Sequence, residues 1–86
     1  MRLLGRNHLQ KIRGLNAQTD SWLTTWASEV ANASWKAPID LVKQYRSVVE
    51  KDARTYLFQI GAFEGFIELQ VAFPQGIALI TAIKKS

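Results

Sequence analysis

Residues 55–83 are the part of the sequence that most constrains the fold, because they hold three apolar runs separated by two turn signals. The middle run, FIELQVAF at residues 66–73, alternates between a wholly apolar side and a mixed side. A period of two residues is typical of a half-buried strand. Residues 74–76 suit a tight turn, since Pro74 presets its own φ and Gly76 tolerates a positive φ. Residues 61–65 suit a second turn, between the first and the middle run. The stretch therefore predicts an antiparallel three-strand meander.

The first half of the chain has its apolar residues at helical spacing instead. Residues 1–4 fit either an edge strand or the lead-in to a helix. Asn7 suits the N-cap of a first helix over residues 7–15, and the cap-type residues within 16–20 predict the start of a second. We expect one side of that second helix to face the core, with these residues: Trp22, Leu23, Trp26, Val30 and Ala33.

A short third helix is expected over residues 39–45, with Pro38 at its first position. Residues 46–54 read as a polar link to the strands. Since helices come first and strands last, the order predicts an α+β fold with the helices packed on one face of a small antiparallel sheet. The other face is left to solvent or a partner. Nothing divides the sequence, so residues 1–86 are predicted to form a single domain.

Composition excludes several kinds of function. The chain has no cysteine and one histidine, which argues against disulfides, thiolate chemistry and structural zinc, and we expect no metal or other cofactor. No apolar run approaches the roughly 20 residues of a membrane span, and the N-terminus lacks the apolar stretch of a signal peptide. We therefore expect a cytoplasmic protein without membrane contact. The net charge of +4 permits attraction to RNA, DNA or acidic proteins.

Two segments carry a family resemblance: WASEVANASWKAPIDLVKQY at residues 26–45 and RTYLFQI at residues 54–60. They resemble the HigB toxins of type II toxin–antitoxin modules, which belong to the RelE-like superfamily. The residues in matching places are Trp26, Glu29, Val30, Ala33, Trp35, Lys36, Asp40, Tyr45, Arg54 and Phe58. The resemblance implies a compact RelE-like fold, metal-independent mRNA cleavage on the ribosome and neutralisation by a helix-turn-helix antitoxin.

The sequence departs from the family pattern at positions that carry chemistry. Family members usually have a basic residue early in the middle strand, where this chain has Phe66, and often an arginine in the last strand, where it has Thr81. The family tail, a Thr-His pair followed by a Tyr-Asp pair, has no counterpart here. An alternative function is therefore a catalytically degenerate toxin homologue that acts as a protein-binding module. A plain RNA-binding protein is a third class, less favoured because residues 55–83 lack basic residues.

Metal-free RNA cleavage needs side chains that move protons and neutralise the phosphate. Glu68 is the candidate general base, and Arg54 is the candidate cation that offsets its repulsion of phosphate. Lys84 and Lys85 are the next candidates for that cation. The full set of candidate RNA-binding residues is Lys36, Arg46, Lys51, Lys84 and Lys85.

Other aromatic and titratable residues have competing interpretations. The helical spacing of the three tryptophans indicates core positions rather than base stacking, although exposed indoles stack on bases in single-strand-binding proteins. Phe63 and Phe66 suit either packing or an exposed contact with a base or partner. His8, the one side chain that ordinarily titrates near neutral pH, is expected at the surface of the first helix rather than in a catalytic site.

Overall fold

The computed structural model describes residues 1–61 and 63–85. Its elements are β1 (Arg2–Leu4), a 3-10 helix (Arg6–Lys11), α1 (Ala17–Ala31), α2 (Pro38–Gln44), β2 (Val49–Glu50), β3 (Thr55–Gln59), β4 (Gly65–Ala72) and β5 (Ile77–Lys85). The α+β class predicted from the sequence is confirmed, with the strands concentrated in the second half of the chain.

The strands in the described part of the chain form one five-stranded sheet in the order β1-β5-β4-β3-β2. The predicted meander is its centre, because β3, β4 and β5 pair in succession and antiparallel. The prediction of a wholly antiparallel, smaller sheet is wrong. β1 confirms the edge-strand alternative for residues 1–4 but pairs with β5 in parallel, and β2 adds a short edge strand within the predicted polar link. β2 is too short for the alternation of side chains to mark it in the sequence.

The predicted turn between β4 and β5 is present. Gly76 has a φ of 68°, and its main-chain N–H donates to the carbonyl of Phe73 over 3.2 Å. This left-handed conformation is open to glycine and strained for other residues. The other predicted turn, over residues 61–65, includes Ala62, which lies outside the described residues.

The first helix is shorter and tighter than predicted. The sequence favoured an α-helix over residues 7–15, whereas the chain forms a 3-10 helix over Arg6–Lys11. Leu9 and Ile12 are both buried, and their spacing of three residues matches the three-residue turn of a 3-10 helix. Leu15 lies beyond the helix and is 69% exposed.

The second and third helices begin where their caps predicted. Asn16 is the N-cap of α1, and its side chain accepts hydrogen bonds from the main-chain N–H groups of Gln18 and Thr19. Pro38 is the first residue of α2, which ends at Gln44. A proline suits this position because the first N–H of a helix has no partner within it.

The core lies between the helices and one face of the sheet. Leu23, Trp26 and Val30 of α1 are buried, and the Trp26 ring packs edge-on against Phe58 of β3 with 5.5 Å between ring centroids. In β4, Ile67 and Leu69 are fully buried, as the alternation of the sequence predicted. The sheet therefore has a core face covered by helices and a second face without this cover.

Candidate functional site

The predicted catalytic glutamate lies at the centre of the second sheet face. We call this surface the open face and define it by residues on the central strands: Leu57, Phe66, Glu68, Gln70 and Leu79. Leu79 is 38% exposed, whereas its neighbour Ile80 on the core face is 1% exposed. The alternation of a strand thus places Glu68 opposite the buried residues of β4.

Glu68 is held by two side chains from distant parts of the chain. Its Oε1 accepts a hydrogen bond from Lys51 Nζ at 2.8 Å, and its Oε2 accepts one from Thr81 Oγ1 at 2.9 Å. Lys51 directly follows β2. Thr81 lies in a bulge of β5, where the register changes from Leu69 opposite Ile80 to Glu68 opposite Ala82. The extra residue of a bulge redirects a side chain, and here the hydroxyl of Thr81 reaches the carboxylate.

These contacts keep both members of the ion pair charged. The hydrogen bonds from Lys51 and Thr81 lower the pKa of Glu68 more than its burial raises it, and the charges of Lys51 and Lys84 lower it further. The same hydrogen bond to Glu68 raises the pKa of Lys51. The Lys51 side chain is 51% exposed and that of Glu68 is 12% exposed. The lysine therefore presents a fixed ammonium to solvent above a largely covered carboxylate.

This arrangement is better suited to binding an anion than to moving a proton. A general base works best when its pKa lies near the working pH, whereas the pKa of Glu68 is below its ordinary value of 4.5. Each of its carboxylate oxygens also already accepts a hydrogen bond. The clearest chemical capability of the group is to hold Lys51 in place for a phosphate.

Arg54 occupies a different place from the one expected. Within residues 1–61 and 63–85, the side chains that contact the Glu68 carboxylate are Lys51 and Thr81, not Arg54. Arg54 precedes β3 and contributes to the wall of a cavity of about 180 Å³ beside Gln70 and Leu79. It thus borders the open face at a distance from the ion pair, and its predicted catalytic role stays a prediction.

The other predicted RNA-binding residues fall into two groups. Lys84 and Lys85 lie at the end of β5, opposite Phe66 and Gly65, and Lys84 is close enough to influence Glu68 electrostatically. Lys36 lies between α1 and α2, and Arg46 lies between α2 and β2. The fold therefore gathers Lys51, Lys84 and Glu68 together, whereas Lys36 and Arg46 lie in the helical half of the chain.

Thr81 is the site residue that reasoning from sequence missed. Its role depends on the bulge, and the apolar pattern of β5 gives no sign of one. The sequence feature that could have identified Thr81 as a site residue was its position, since the family resemblance places an arginine there. In this chain the position instead supplies a hydrogen-bond donor to Glu68.

The aromatic residues separate into buried and partly exposed ones. Trp26 and Trp35 are 1% and 5% exposed, which confirms their core interpretation. Trp22 is only partly buried and lines a cavity. Phe63 packs against the core cluster, while Phe66 stays partly exposed on the open face. His8 lies in the 3-10 helix and is partly buried.

A scan against protein-family models and a search of curated proteins found no match to this chain. Within the part of the chain that the structure describes, no helix is long and apolar enough to cross a membrane. The same residues hold no group of three or more His, Cys, Asp or Glu side chains placed to bind a metal ion.

Proposed function

We propose that this protein is a HigB-like toxin of a type II toxin–antitoxin module, a ribosome-associated mRNA endonuclease that inhibits translation. In this proposal it acts in the cytoplasm without a metal and is neutralised by a helix-turn-helix antitoxin. The observation that carries the proposal is the group on the open face, where Glu68 and Thr81 hold the exposed ammonium of Lys51. A fixed cation on an uncovered sheet is suited to an RNA phosphate.

The residues that carry the family resemblance have identifiable structural roles. The Tyr45 hydroxyl donates to Glu29 Oε1 at 2.5 Å, and Trp35 Nε1 donates to Gln44 Oε1 at 2.9 Å. These two bonds fasten the end of α2 to α1 and to the segment between the helices. Asp40 accepts hydrogen bonds from two main-chain N–H groups at the start of α2. The shared pattern is therefore accounted for by the helical layer, which supports a common fold.

Catalysis in this proposal depends on charge more than on proton transfer. Lys51 and Lys84 would stabilise the phosphorane that forms when the ribose 2′-hydroxyl loses its proton to water and attacks the adjacent phosphate. The bond from phosphorus to the 5′-oxygen then breaks, which leaves a 2′,3′-cyclic phosphate, and the departing 5′-oxygen takes a proton from water. Arg54 lies at the border of the open face and would contact the RNA further along its backbone. Glu68 positions Lys51, and it becomes a base only if RNA binding releases it from its partners.

A specific observation favours the alternative of a degenerate homologue that binds protein. The family's basic position holds Phe66, and Thr81, in the position of the second arginine, is bonded to Glu68. Glu68 is thus an ionised carboxylate with lowered pKa, not a group ready to accept a proton. A partly exposed Phe66, opposite Gln59 on one side and Lys84 on the other, would instead suit contact with a partner.

Induced expression in a bacterial host tests the proposal. We expect growth arrest together with ribosome-dependent cleavage of transcripts. Lys51→Met should relieve the arrest most strongly, since it removes the held cation, and Arg54→Ala should relieve it partly. Lys43→Met, an exposed change on α2 that also removes one positive charge, is the matched control and should leave the arrest intact. Normal growth with intact transcripts in the wild type would overturn the toxin proposal in favour of the protein-binding alternative.

A further inference from the structure

A cavity at the edge of β3 is separate from the ion pair on the open face. It has a volume of about 390 Å³ and is lined by Trp22, Tyr45, Ser47, Phe58, Gln59 and Gly61. Trp22 comes from α1, Tyr45 from the end of α2, and the others from around β2 and β3. Its size is near the lower end of the roughly 300–1,000 Å³ of small-ligand sites, which suits a single ring system with its attached sugar.

The cavity exists because β2 covers only part of the edge of β3. In the described chain, β2 pairs with β3 at Tyr56 and Leu57. Continuing that register would place Ser47 opposite Gln59, but the chain turns away toward α2, with the Val48 N–H donating to the Tyr45 carbonyl over 3.2 Å. The gap that results is the cavity.

The exposed edge of β3 also presents main-chain hydrogen-bonding groups. The N–H of Ile60 donates to the carbonyl of Gly65 in β4 over 3.0 Å. Because these groups alternate in direction along an antiparallel strand, the N–H and C=O of Gln59 point away from β4. They point toward the side of the sheet that β2 leaves uncovered, at the cavity that Ser47 also lines.

Two aromatic rings border the same space and are held in place. Trp22 stacks on Trp26 with 6.2 Å between ring centroids and an interplanar angle of 10°. Tyr45 packs edge-on against Phe58 at 5.0 Å, and its hydroxyl is bonded to Glu29. Fixed, partly exposed aromatic rings beside polar groups are the ingredients of a site for a flat ring with a polar edge.

We propose that this cavity binds an unpaired RNA base, which stacks on Trp22 and bonds through its polar edge to Gln59 and Ser47. The proposal rests on RNA being the ligand, as the proposed function requires. A nucleobase is favoured over an apolar protein side chain because one side of the cavity offers donors and acceptors. Arg46 lies between two of the lining residues, Tyr45 and Ser47, where a cation is available for the attached phosphate.

The test compares a short unstructured RNA with an abasic oligonucleotide of the same length and backbone. Both have the same phosphates, so a difference in affinity reports contacts with bases. We expect the wild-type chain to bind the RNA about five- to 100-fold more tightly than the abasic strand, the effect expected of one stacked base. Tryptophan fluorescence should be quenched on binding, since Trp22 is partly exposed while Trp26 and Trp35 are buried.

Trp22→Leu should bring the two affinities together and abolish the quenching. Gly61→Ala is a second variant that keeps the indole but displaces it, because the new Cβ would lie 2.9 Å from Trp22 Cδ1. Gln18→Ala, an exposed change one turn earlier on α1, should retain the preference for bases. Thermal unfolding of each variant verifies that it folds before binding is compared.

Two outcomes would overturn the proposal. One is equal affinity of the wild type for both strands, and the other is a preference for the RNA that survives in Trp22→Leu. These results are distinguishable from failure of the proposed function. Lys51→Met should weaken binding of both strands and leave the ratio of their affinities unchanged. If the wild type prefers the RNA over the abasic strand but cleaves no transcripts, base binding in the cavity is supported and the endonuclease proposal is rejected.

Discussion

The two faces of the sheet are built from the same strands by different physical means. On the core face, Ile67 and Leu69 are fully buried among other apolar side chains. On the open face, Glu68 between them is held by Lys51 and Thr81. Apolar burial is non-directional and depends on area, whereas the ion pair needs particular partners in a particular geometry. Stability is therefore concentrated on one face, and chemical capability on the other.

The largest expected effect comes from truncating adjacent residues of β5 that point to opposite faces. Ile80→Ala should lower the free energy of unfolding by about 2–5 kcal/mol, as expected for a buried isoleucine. Leu79→Ala should cost only about 0.5 kcal/mol, because that side chain is 38% exposed. Urea unfolding followed by circular dichroism measures both changes.

Should Ile80→Ala fail to fold, Ile80→Val is the milder variant, with an expected cost of about 0.5–1.5 kcal/mol. Equal costs at Leu79 and Ile80 would contradict the assignment of the two faces. They would mean that the open face is covered in solution, for example by a second copy of the chain.

An intermediate effect is expected at the centre of the open face. Glu68→Gln keeps the shape of the side chain but removes its charge, so the hydrogen bonds to Lys51 and Thr81 lose their charge assistance. Since the Lys51 side chain is 51% exposed, we expect a loss of only about 0.5–1 kcal/mol at neutral pH. Glu64→Gln, an exposed change in the turn before β4, controls for a change of one charge.

The same variant should change how stability depends on pH. The pKa of Glu68 is below its ordinary value of 4.5 when the chain is folded. Its charge therefore stabilises the fold above that ordinary value, and the contribution is lost as the pH falls through the lowered pKa. In Glu68→Gln the free energy of unfolding should fall less steeply with decreasing pH below about pH 5 than it does in the wild type. Asp52, whose pKa is also lowered, leaves part of the acid dependence in place. An unchanged acid dependence would contradict the ion pair.

The contrast between the faces also explains what could be predicted from the sequence. The meander, the turn at Gly76 and the burial of Ile67 and Leu69 follow from patterns a few residues long. The N-cap at Asn16 is similarly local. Such features depend on near neighbours in the chain, so periodicity and turn chemistry are sufficient to predict them.

The features that were missed depend on residues far apart in sequence. The pairing of Lys51 with Glu68 requires the short β2 and the return of the chain into β3, and no pattern in residues 46–54 marks that strand. The bulge at Thr81 is a property of how β5 pairs with β4, two strands whose partners are set by the whole sheet. Reasoning from the sequence therefore predicted Glu68 and its need for a nearby cation. It named Arg54 as that cation, because Arg54 is nearer to the start of β3, whereas the structure places Lys51 there.

The smallest effect on stability is expected for a lysine on the open face whose loss should weaken anion binding but not folding. Lys84→Gln should change the free energy of unfolding by less than about 0.5 kcal/mol, as is usual for an exposed side chain. Its charge faces Glu68 along the open face, so its removal should weaken RNA binding and reduce the dependence of affinity on salt by about one released counterion. Lys43→Gln on α2 is the matched control and should leave both quantities unchanged. If Lys84→Gln left the salt dependence of RNA affinity unchanged and Lys43→Gln reduced it, the RNA backbone would bind to the helices rather than to the sheet.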